Sequence, residues 1–166
     1  MPEIRVLTEM DAEEFWAVRL RALREDAYAF GSAYEESTDT PIEDVEKRLR
    51  VSNDHFVLGA FSPNLVGTIG FYRRQGIKIR HKGTIWGVYV APEARGQRLG
   101  EALMQAAIAR AREIEGLEYL LLQVGVENKA AVALYSSAGF IVYGFERSGL
   151  KVDGRYLDEH LMTLKL

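Results

Sequence analysis

The most informative absences in this sequence concern reactive and metal-binding side chains. The chain of 166 residues contains no cysteine, which excludes disulfide bonds, thiolate metal sites and a cysteine nucleophile. It has only three histidines, His55, His81 and His160, and their scattered positions do not match the spacing of metal ligands. We therefore expect no metal cofactor and no catalysis through a cysteinyl intermediate.

Long apolar runs and an excess of basic residues are also absent. No segment approaches the roughly 20 apolar residues that cross a bilayer, and residues 1–15 lack the pattern of a signal peptide. The net charge of −3 at pH 7 gives no general attraction to nucleic acid or to an anionic membrane. We expect a cytoplasmic protein that binds neither. The basic segment at 72–82 is predicted to be a solvated hairpin, with the guidance of an acidic partner as the alternative.

The length suits a single domain over residues 1–166 with one sizeable core. Alternating and helix-period apolar patterns predict the element order β-α-α-β-β-β-α-β-α-β-β. Such an order is typical of one central mixed sheet, in the α/β or α+β class. The pattern predicts an irregular loop over 27–40, followed by a helix with Thr40 as its cap and Pro41 at its first position.

The segment "VYVAPEARGQRLGEALM" at 88–104 joins a β-like stretch to an alanine-rich helix through two glycines and two arginines. Backbone amides at a helix N-terminus favour an anion, usually a phosphate. Gly96 and Gly100 let a ligand approach the backbone, and Arg95 and Arg98 offer charged donors. The alternative is an ordinary loop whose glycines only relieve packing. The segment lacks the spacing of a Walker loop or a dinucleotide fingerprint.

A second motif, "QVGVENKAAVALYSSAGF", follows at 123–140. Asn128 lies at a strand-to-helix turn, and Tyr135 follows about two helical turns later, on the same side. The structural alternative is that Asn128 is only a helix cap and Tyr135 only a core residue.

With both motifs in this order, the sequence resembles the GNAT superfamily of N-acetyltransferases. The first motif of the family, Arg/Gln-x-x-Gly-x-Gly/Ala, is matched at Arg95 and Gly100, but Arg98 replaces its middle glycine. The second is matched by the following residues: Asn128, Ala131, Leu134, Tyr135, Gly139 and Phe140. The resemblance implies a mixed, mostly antiparallel sheet that opens as a V between strands 4 and 5, flanked by about four helices.

The resemblance also implies that acetyl-CoA lies in the V-shaped opening. The main chain of Val88, Tyr89 and Val90 would bind the pantetheine arm and the thioester, and Asn128 would hold the pantetheine from the other side. Tyr135 would be the general acid that protonates the departing thiolate. The pyrophosphate would be wrapped by six consecutive residues: Arg95, Gly96, Gln97, Arg98, Leu99 and Gly100.

The general base is not assigned by the resemblance alone. Many relatives carry a glutamate on the fifth strand where this chain has Gln123, whose amide cannot accept the proton. Gln123 could orient a water or the acceptor, or be an amide satisfied by backbone. Among the remaining carboxylates, Glu36 is ranked first because its loop covers the acceptor in relatives. The others considered were Glu35, Glu127, Asp158 and Glu159, most of them expected to be solvated.

The function implied is acetyl transfer from acetyl-CoA to an amine, directly, within a ternary complex. The acceptor is expected to be a small-molecule amine, with a protein N-terminus or lysine as the alternative. A non-catalytic CoA-binding sensor or scaffold is the alternative from a different class, and it rests on the missing glutamate. A homodimer, formed through the last two strands, is also expected from the resemblance.

Overall fold

The structure is a computed structural model and describes residues 2–166. Within that range the chain forms seven strands in one sheet and five α-helices. The strands are β1 (Glu3–Val6), β2 (His55–Phe61), β3 (Leu65–Arg73), β4 (Lys82–Val90), β5 (Tyr119–Gly125), β6 (Ile141–Val152) and β7 (Arg155–Lys165). The helices are α1 (Ala12–Glu25), α2 (Tyr34–Ser37), α3 (Ile42–Leu49), α4 (Leu99–Arg112) and α5 (Lys129–Ser137).

The sheet is mixed and mostly antiparallel, as predicted. Its strand order is β1-β2-β3-β4-β5-β7-β6, and only the β4–β5 pair is parallel. The parallel pair arises because α4 carries the chain back across the sheet between the two strands. This crossover places the end of β4 and the start of α4 beside the end of β5, where both sequence motifs meet.

Two helical layers cover the sheet unequally. The largest buried cluster joins α4 and α5 to one face, with Leu103, Met104 and Leu122 among its members. On the other face, α1 and α3 pack mainly on the half of the sheet that contains β2 and β3, through residues such as Phe15 and Val57. The β5–β7 half of that second face therefore carries less helical cover, and it borders the cavity described below.

The sequence-derived element order is confirmed except in the region before β2. Residues 27–40 are not a continuous irregular loop, because they contain a 3₁₀ turn at Ala27–Ala29 and the short helix α2. Pro41 precedes the first helical residue of α3 and takes extended dihedral angles as its cap residue, so the predicted cap at Thr40 was one residue early. Pro41 lacks an N–H, and at this position its carbonyl accepts from Val45.

None of the helices formed by residues 2–166 has the length and apolar content required to cross a bilayer. β6 lies at the edge of the sheet, next to β7, and exposes Ile141, Tyr143 and Phe145. The homodimer expected through these two strands stays a prediction.

Candidate active site

β4 and β5 separate after a short stretch of pairing. Their register ends at Thr84 and Leu121, although β4 continues to Val90 and β5 to Gly125. Over the same stretch β4 keeps its pairing with β3, so the edge of β4 that faces β5 has no strand partner beyond Thr84. A bulge with Gly87 at φ +62° bends β4 here, and Thr68 Oγ1 donates to the Gly87 carbonyl at 2.9 Å. The predicted V-shaped opening between strands 4 and 5 is present.

The loop of residues 95–98 delivers backbone amides to the mouth of this opening. Gly96 has φ +82°, and Arg98, the last residue before α4, is left-handed at φ 59° and ψ 25°. Residues that alternate between right-handed and left-handed backbone conformations turn successive N–H groups toward one side. This arrangement binds anions. The family motif has glycine at position 98 because that conformation is strained for any residue with a Cβ.

The side chains of the two arginines are engaged within the protein. Arg95 Nε donates to the Val90 carbonyl at 2.9 Å, and its Nη2 pairs with Asp26 at 3.0 Å. Arg98, which is largely exposed, pairs with Glu101 at 2.8 Å. Arg95 therefore fixes the loop onto the end of β4 and the end of α1. The binding of phosphate by these two side chains stays a prediction, whereas their backbone positions fit an anion.

Gly100 lies in the first turn of α4, beside Leu134 of α5. A Cβ built on Gly100 would lie 3.3 Å from Leu134, which would have to shift, and 3.9 Å from Val90, which is an ordinary contact. Asn128 caps α5, and its Oδ1 accepts from the Ala131 amide at 3.3 Å. The structure thus shows the capping role of Asn128, and the cap leaves the Nδ2 donors of its amide for other partners.

The three β4 residues predicted to bind the cofactor face different directions. Val88 and Val90 are partly buried against the cluster formed by α4 and α5. Tyr89 points to the other side, where its ring is buried and lies 6.4 Å from the ring of Phe30. Only the main chain of Tyr89 is therefore available at the opening, as the sequence interpretation required.

Tyr135 is buried within the main core cluster, 6.2 Å from Phe140 between ring centroids. Burial raises the pKa of its phenol to about 12, because the phenolate would lose its hydration. The phenol is consequently protonated at neutral pH and available as a donor. Its alternative role, as a core residue, is supported by the same packing.

A cavity of about 540 Å³ lies between the separating strands and the segment that follows α1. Its walls come from α1, from residues 29–32 and from the five strands β3 to β7. The lining includes the following polar, charged and aromatic residues: Arg19, Arg74, Trp86, Gln123 and Glu159.

The predicted acceptor-side residues are distributed differently from expectation. Gln123 lines the cavity, and its Nε2 donates to Glu146 Oε2 at 3.2 Å. Glu36 lies on the exposed side of α2 and is not among the lining residues, so its role as base stays a prediction. Glu159, one of the other carboxylates considered as base, lines the cavity and is only 8% exposed.

Sequence reasoning missed Arg19, and it named Glu159 only among the lower-ranked carboxylates. A signal was available for both: Arg19 interrupts the apolar pattern of α1, and Glu159 shares one face of β7 with Leu157 and Leu161. A charged residue at a position that the periodicity assigns to the interior is a candidate site residue. Within residues 2–166 there is no group of three or more His, Asp or Glu side chains arranged to hold a metal ion.

Comparison with known proteins agrees with this geometry. The model of the acetyltransferase (GNAT) family matches residues 17–140. The chain is 28% identical over 134 residues to a spermidine N(1)-acetyltransferase from Vibrio cholerae, with 76% of each chain covered. It is 38% identical over 87 residues to an L-methionine sulfoximine/L-methionine sulfone acetyltransferase from Pseudomonas aeruginosa, covering 51% of this chain and 49% of that protein.

The fold is also that of a solved relative. The crystal structure of a GNAT-family acetyltransferase from Streptococcus pneumoniae superimposes with a TM-score of 0.90 at 27% identity, and the match covers 100% of both chains. The family match spans most of the sheet, including both motifs and the opening between β4 and β5. This chain belongs to the GNAT family of acetyltransferases.

Proposed function

We propose that the protein transfers the acetyl group of acetyl-CoA to the primary amine of a small molecule, directly, within a ternary complex. The observation that carries this proposal is the parting of β4 from β5 after Thr84 and Leu121. The parting leaves unpaired main-chain groups between two features, the anion-binding loop of residues 95–98 and the cavity of about 540 Å³. A thioester that crosses the opening would be presented to an amine in the cavity.

Each part of the opening has a chemical task in this proposal. The amides of residues 96–100, at the N-terminus of α4, bind the pyrophosphate. The unpaired edge of β4, from Val88 to Val90, supplies hydrogen bonds to the pantetheine and to the oxyanion that forms at the thioester carbon. Asn128, whose Oδ1 is engaged in capping α5, contributes its Nδ2 donors to the pantetheine.

Tyr135 assists the departure of the thiolate. With the phenol pKa at about 12 and a thiol pKa of about 8.5, transfer of the phenol proton to a thiolate that has already left would be uphill by roughly 5 kcal/mol, unless the phenol is reprotonated at the same time. We therefore assign Tyr135 a hydrogen bond to the developing thiolate. The proton reaches sulfur as the C–S bond breaks, and the proton lost by the new amide nitrogen restores the phenol.

A small-molecule acceptor is favoured by the cavity and by the relatives. The cavity volume falls within the range of small-ligand sites, and it is lined by aromatic side chains with a few polar groups. The two named relatives are called acetyltransferases of spermidine and of methionine sulfoximine, which are both small amines.

The test follows CoA release from acetyl-CoA with a thiol reagent while a panel of amines is supplied. We expect release that depends on one class of amine, with an acetylated product visible by mass spectrometry. A protein that binds acetyl-CoA but releases no CoA with any amine would instead be the CoA-binding sensor or scaffold. Acetylation of peptide N-termini alone would assign the acceptor to proteins.

A further inference from the structure

A buried carboxylate lies in the wall of the cavity without a partner. Glu159 is 8% exposed and lines the cavity. Among residues 2–166, no side-chain hydrogen bond or ion pair of the structure includes its carboxylate. A buried charge that is neither paired nor hydrogen-bonded is costly, and such groups are characteristic of sites that receive a ligand.

Residues of the neighbouring strands β5 and β6 define the position of this carboxylate. Glu159 lies opposite Gly125 of β5 and Glu146 of β6. A Cβ built on Gly149 would lie only 2.5 Å from Glu159 Oε1, so the carboxylate occupies space that only a glycine leaves open. Burial and the neighbouring charge of Glu146 raise the pKa of Glu159 above its usual value, which suits a group that accepts a proton.

The lining of the same cavity also carries the complementary charge, on α1. The Arg19 guanidinium lies 5.1 Å from the Phe30 ring centroid and 5.4 Å from that of Trp86. A Cβ on Gly87 would be 3.5 Å from Arg19 Nη1, so the guanidinium lies beside the bulge of β4. Burial lowers the pKa of Arg19 to about 10, with the charge of Arg48 as the smaller cause, so it is cationic at neutral pH.

Arg19 forms no ion pair with any carboxylate of residues 2–166. The same holds for Arg74, which lines the cavity and donates only to Thr84 Oγ1, at 3.4 Å. The cavity thus presents two arginines and one glutamate, and they do not neutralise one another through direct contacts. Opposite charges at two walls of one small cavity match a ligand that carries both signs.

From this arrangement we infer that the acceptor is a zwitterion, with its ammonium at Glu159 and its acidic group at Arg19 and Arg74. The inference rests on the proposed function and names its substrate class. An amine with a carboxylate or another acidic group close by, as in an α-amino acid, has the required chemistry. A polyamine would meet the two arginines with charge of the same sign.

The chemistry assigns Glu159 the role of base. The ammonium gives one proton to the carboxylate, and the free amine attacks the thioester carbon to form the C–N bond. The C–S bond then breaks, and its electron pair leaves with sulfur, which takes the phenol proton of Tyr135. The amide nitrogen sheds its extra proton, which restores the phenol, and Glu159 releases its proton to solvent. One acetyl group moves and one proton is released per turnover.

The first arm of the test compares matched acceptors. The initial rate of CoA release is measured with a set of α-amino acids, with their carboxamides and with spermidine. We expect kcat/KM for the preferred amino acid to exceed that of its carboxamide by about tenfold or more, because a charge-assisted contact would be lost. Equal use of the carboxamide, or a preference for spermidine, would overturn the inference.

The second arm removes each charge in turn. Arg19→Met keeps an unbranched side chain against Phe30 and Trp86, and it should reduce the preference for the free acid severalfold or more while leaving acetyl-CoA affinity unchanged. The matched control is Arg110→Met, since Arg110 also stacks on an aromatic ring, that of Phe56, but does not line the cavity. Loss of the preference in the control as well would contradict the role of Arg19.

The variant Glu159→Gln tests the role of Glu159 as base. Its control is Glu118→Gln, because Glu118 is exposed and lies directly before β5. The Glu159 variant should lower kcat by about 10²-fold or more and remove the acidic limb of the pH profile. The other charged or titratable groups that line the cavity are Arg19, Arg74, Tyr72 and Tyr143. Glu146, which accepts from Gln123, is the neighbouring carboxylate of Glu159. A folded Glu159→Gln variant with wild-type kcat and an unchanged limb would exclude this residue as base.

Failure of the proposed function and failure of this inference would give different results. If no amine of any class supports CoA release, the proposed function fails. If neutral amines or polyamines are acetylated better than zwitterions, the function stands and this inference fails.

Discussion

Arg98 offers a quantitative test of how the anion-binding loop is built. Its backbone is left-handed, at φ 59° and ψ 25°, where the family motif has glycine. Its side chain pairs only with Glu101, and it is largely exposed. We expect Arg98→Gly to stabilise the protein and to preserve acetyl-CoA binding, since the loop would contribute its amides in the same conformation.

The magnitude follows from one stabilising effect and two that oppose it. Relief of the left-handed strain is worth about 1–2 kcal/mol, and loss of an exposed ion pair within a helical turn costs about 0.5 kcal/mol. The greater freedom of glycine in the unfolded chain offsets part of the gain, by about 0.4–1 kcal/mol. The free energy of unfolding should rise by roughly 0.5 kcal/mol, or about 1–2 °C in Tm for a chain of this size.

Arg98→Ala is the matched control, because it removes the same ion pair but keeps a Cβ in the strained conformation. Urea unfolding of both variants, with calorimetric titration of acetyl-CoA, separates the effects. We expect the glycine variant to be about 1 kcal/mol more stable than the alanine variant, with acetyl-CoA affinity within about threefold of wild type for both. A glycine variant less stable than the alanine variant would refute the assignment of strain at this position.

Three further predictions concern the cofactor, the acid and the buried carboxylate. Gly100→Glu presses on Leu134 and adds negative charge at the α4 N-terminus, so acetyl-CoA affinity measured by titration should fall at least tenfold, about 1.4 kcal/mol. Ala109→Glu, which is exposed further along α4, should not change this affinity. Tyr135→Phe should lower kcat by about 10²-fold with Tm nearly unchanged, whereas a purely structural role predicts a lower Tm and an unchanged kcat per folded molecule. The raised pKa of Glu159 means that its protonation favours the folded state, so Glu159→Gln should be more stable than wild type at pH 7. That difference should shrink as the pH falls through the raised pKa of Glu159 and should be lost below the usual glutamate pKa of about 4.3, and urea unfolding that shows a constant difference would contradict the assignment.

The cofactor side of the site was accessible from sequence because local chain order specifies it. The segments at 95–100 and 128–140 each join a strand to a helix, so their spacing fixes the helix start, the exposed amides and the cap at Asn128. The mixed sheet was predicted from the element order, and the opening between β4 and β5 from the family resemblance. These features depend on neighbours in the chain.

The acceptor side was not accessible, because residues distant in the chain build it. Glu159 pairs with Glu146 of β6 and lines a cavity shared with Arg19, which lies on a helix more than a hundred residues earlier. The alternation on β7 marks Glu159 as an inward-facing position, but its place in the same cavity as Arg19 results from the pairing of β7 with both β5 and β6, which no local pattern encodes. Glu36 is exposed on the short helix α2, and its role as base stays a prediction.

The side chain of Arg95 shows a further limit of motif reasoning. The motif predicts an arginine near phosphate, but the structure shows it bonded to the Val90 carbonyl and to Asp26. The residue type matches the family, whereas its contacts depend on where α1 ends. A motif thus identifies the loop without specifying which groups of the loop are free.

The central claim is that acetyl-CoA in the β4–β5 opening reacts with an amine held in the adjacent cavity. The most direct measurement is mass spectrometry of the products formed by a catalytic amount of protein from isotope-labelled acetyl-CoA and a mixture of amino acids, their carboxamides and polyamines. The account predicts many turnovers per protein molecule and the label as a single N-acetyl group on a zwitterionic amine. Tight binding of acetyl-CoA with the label recovered only as unreacted acetyl-CoA would contradict it.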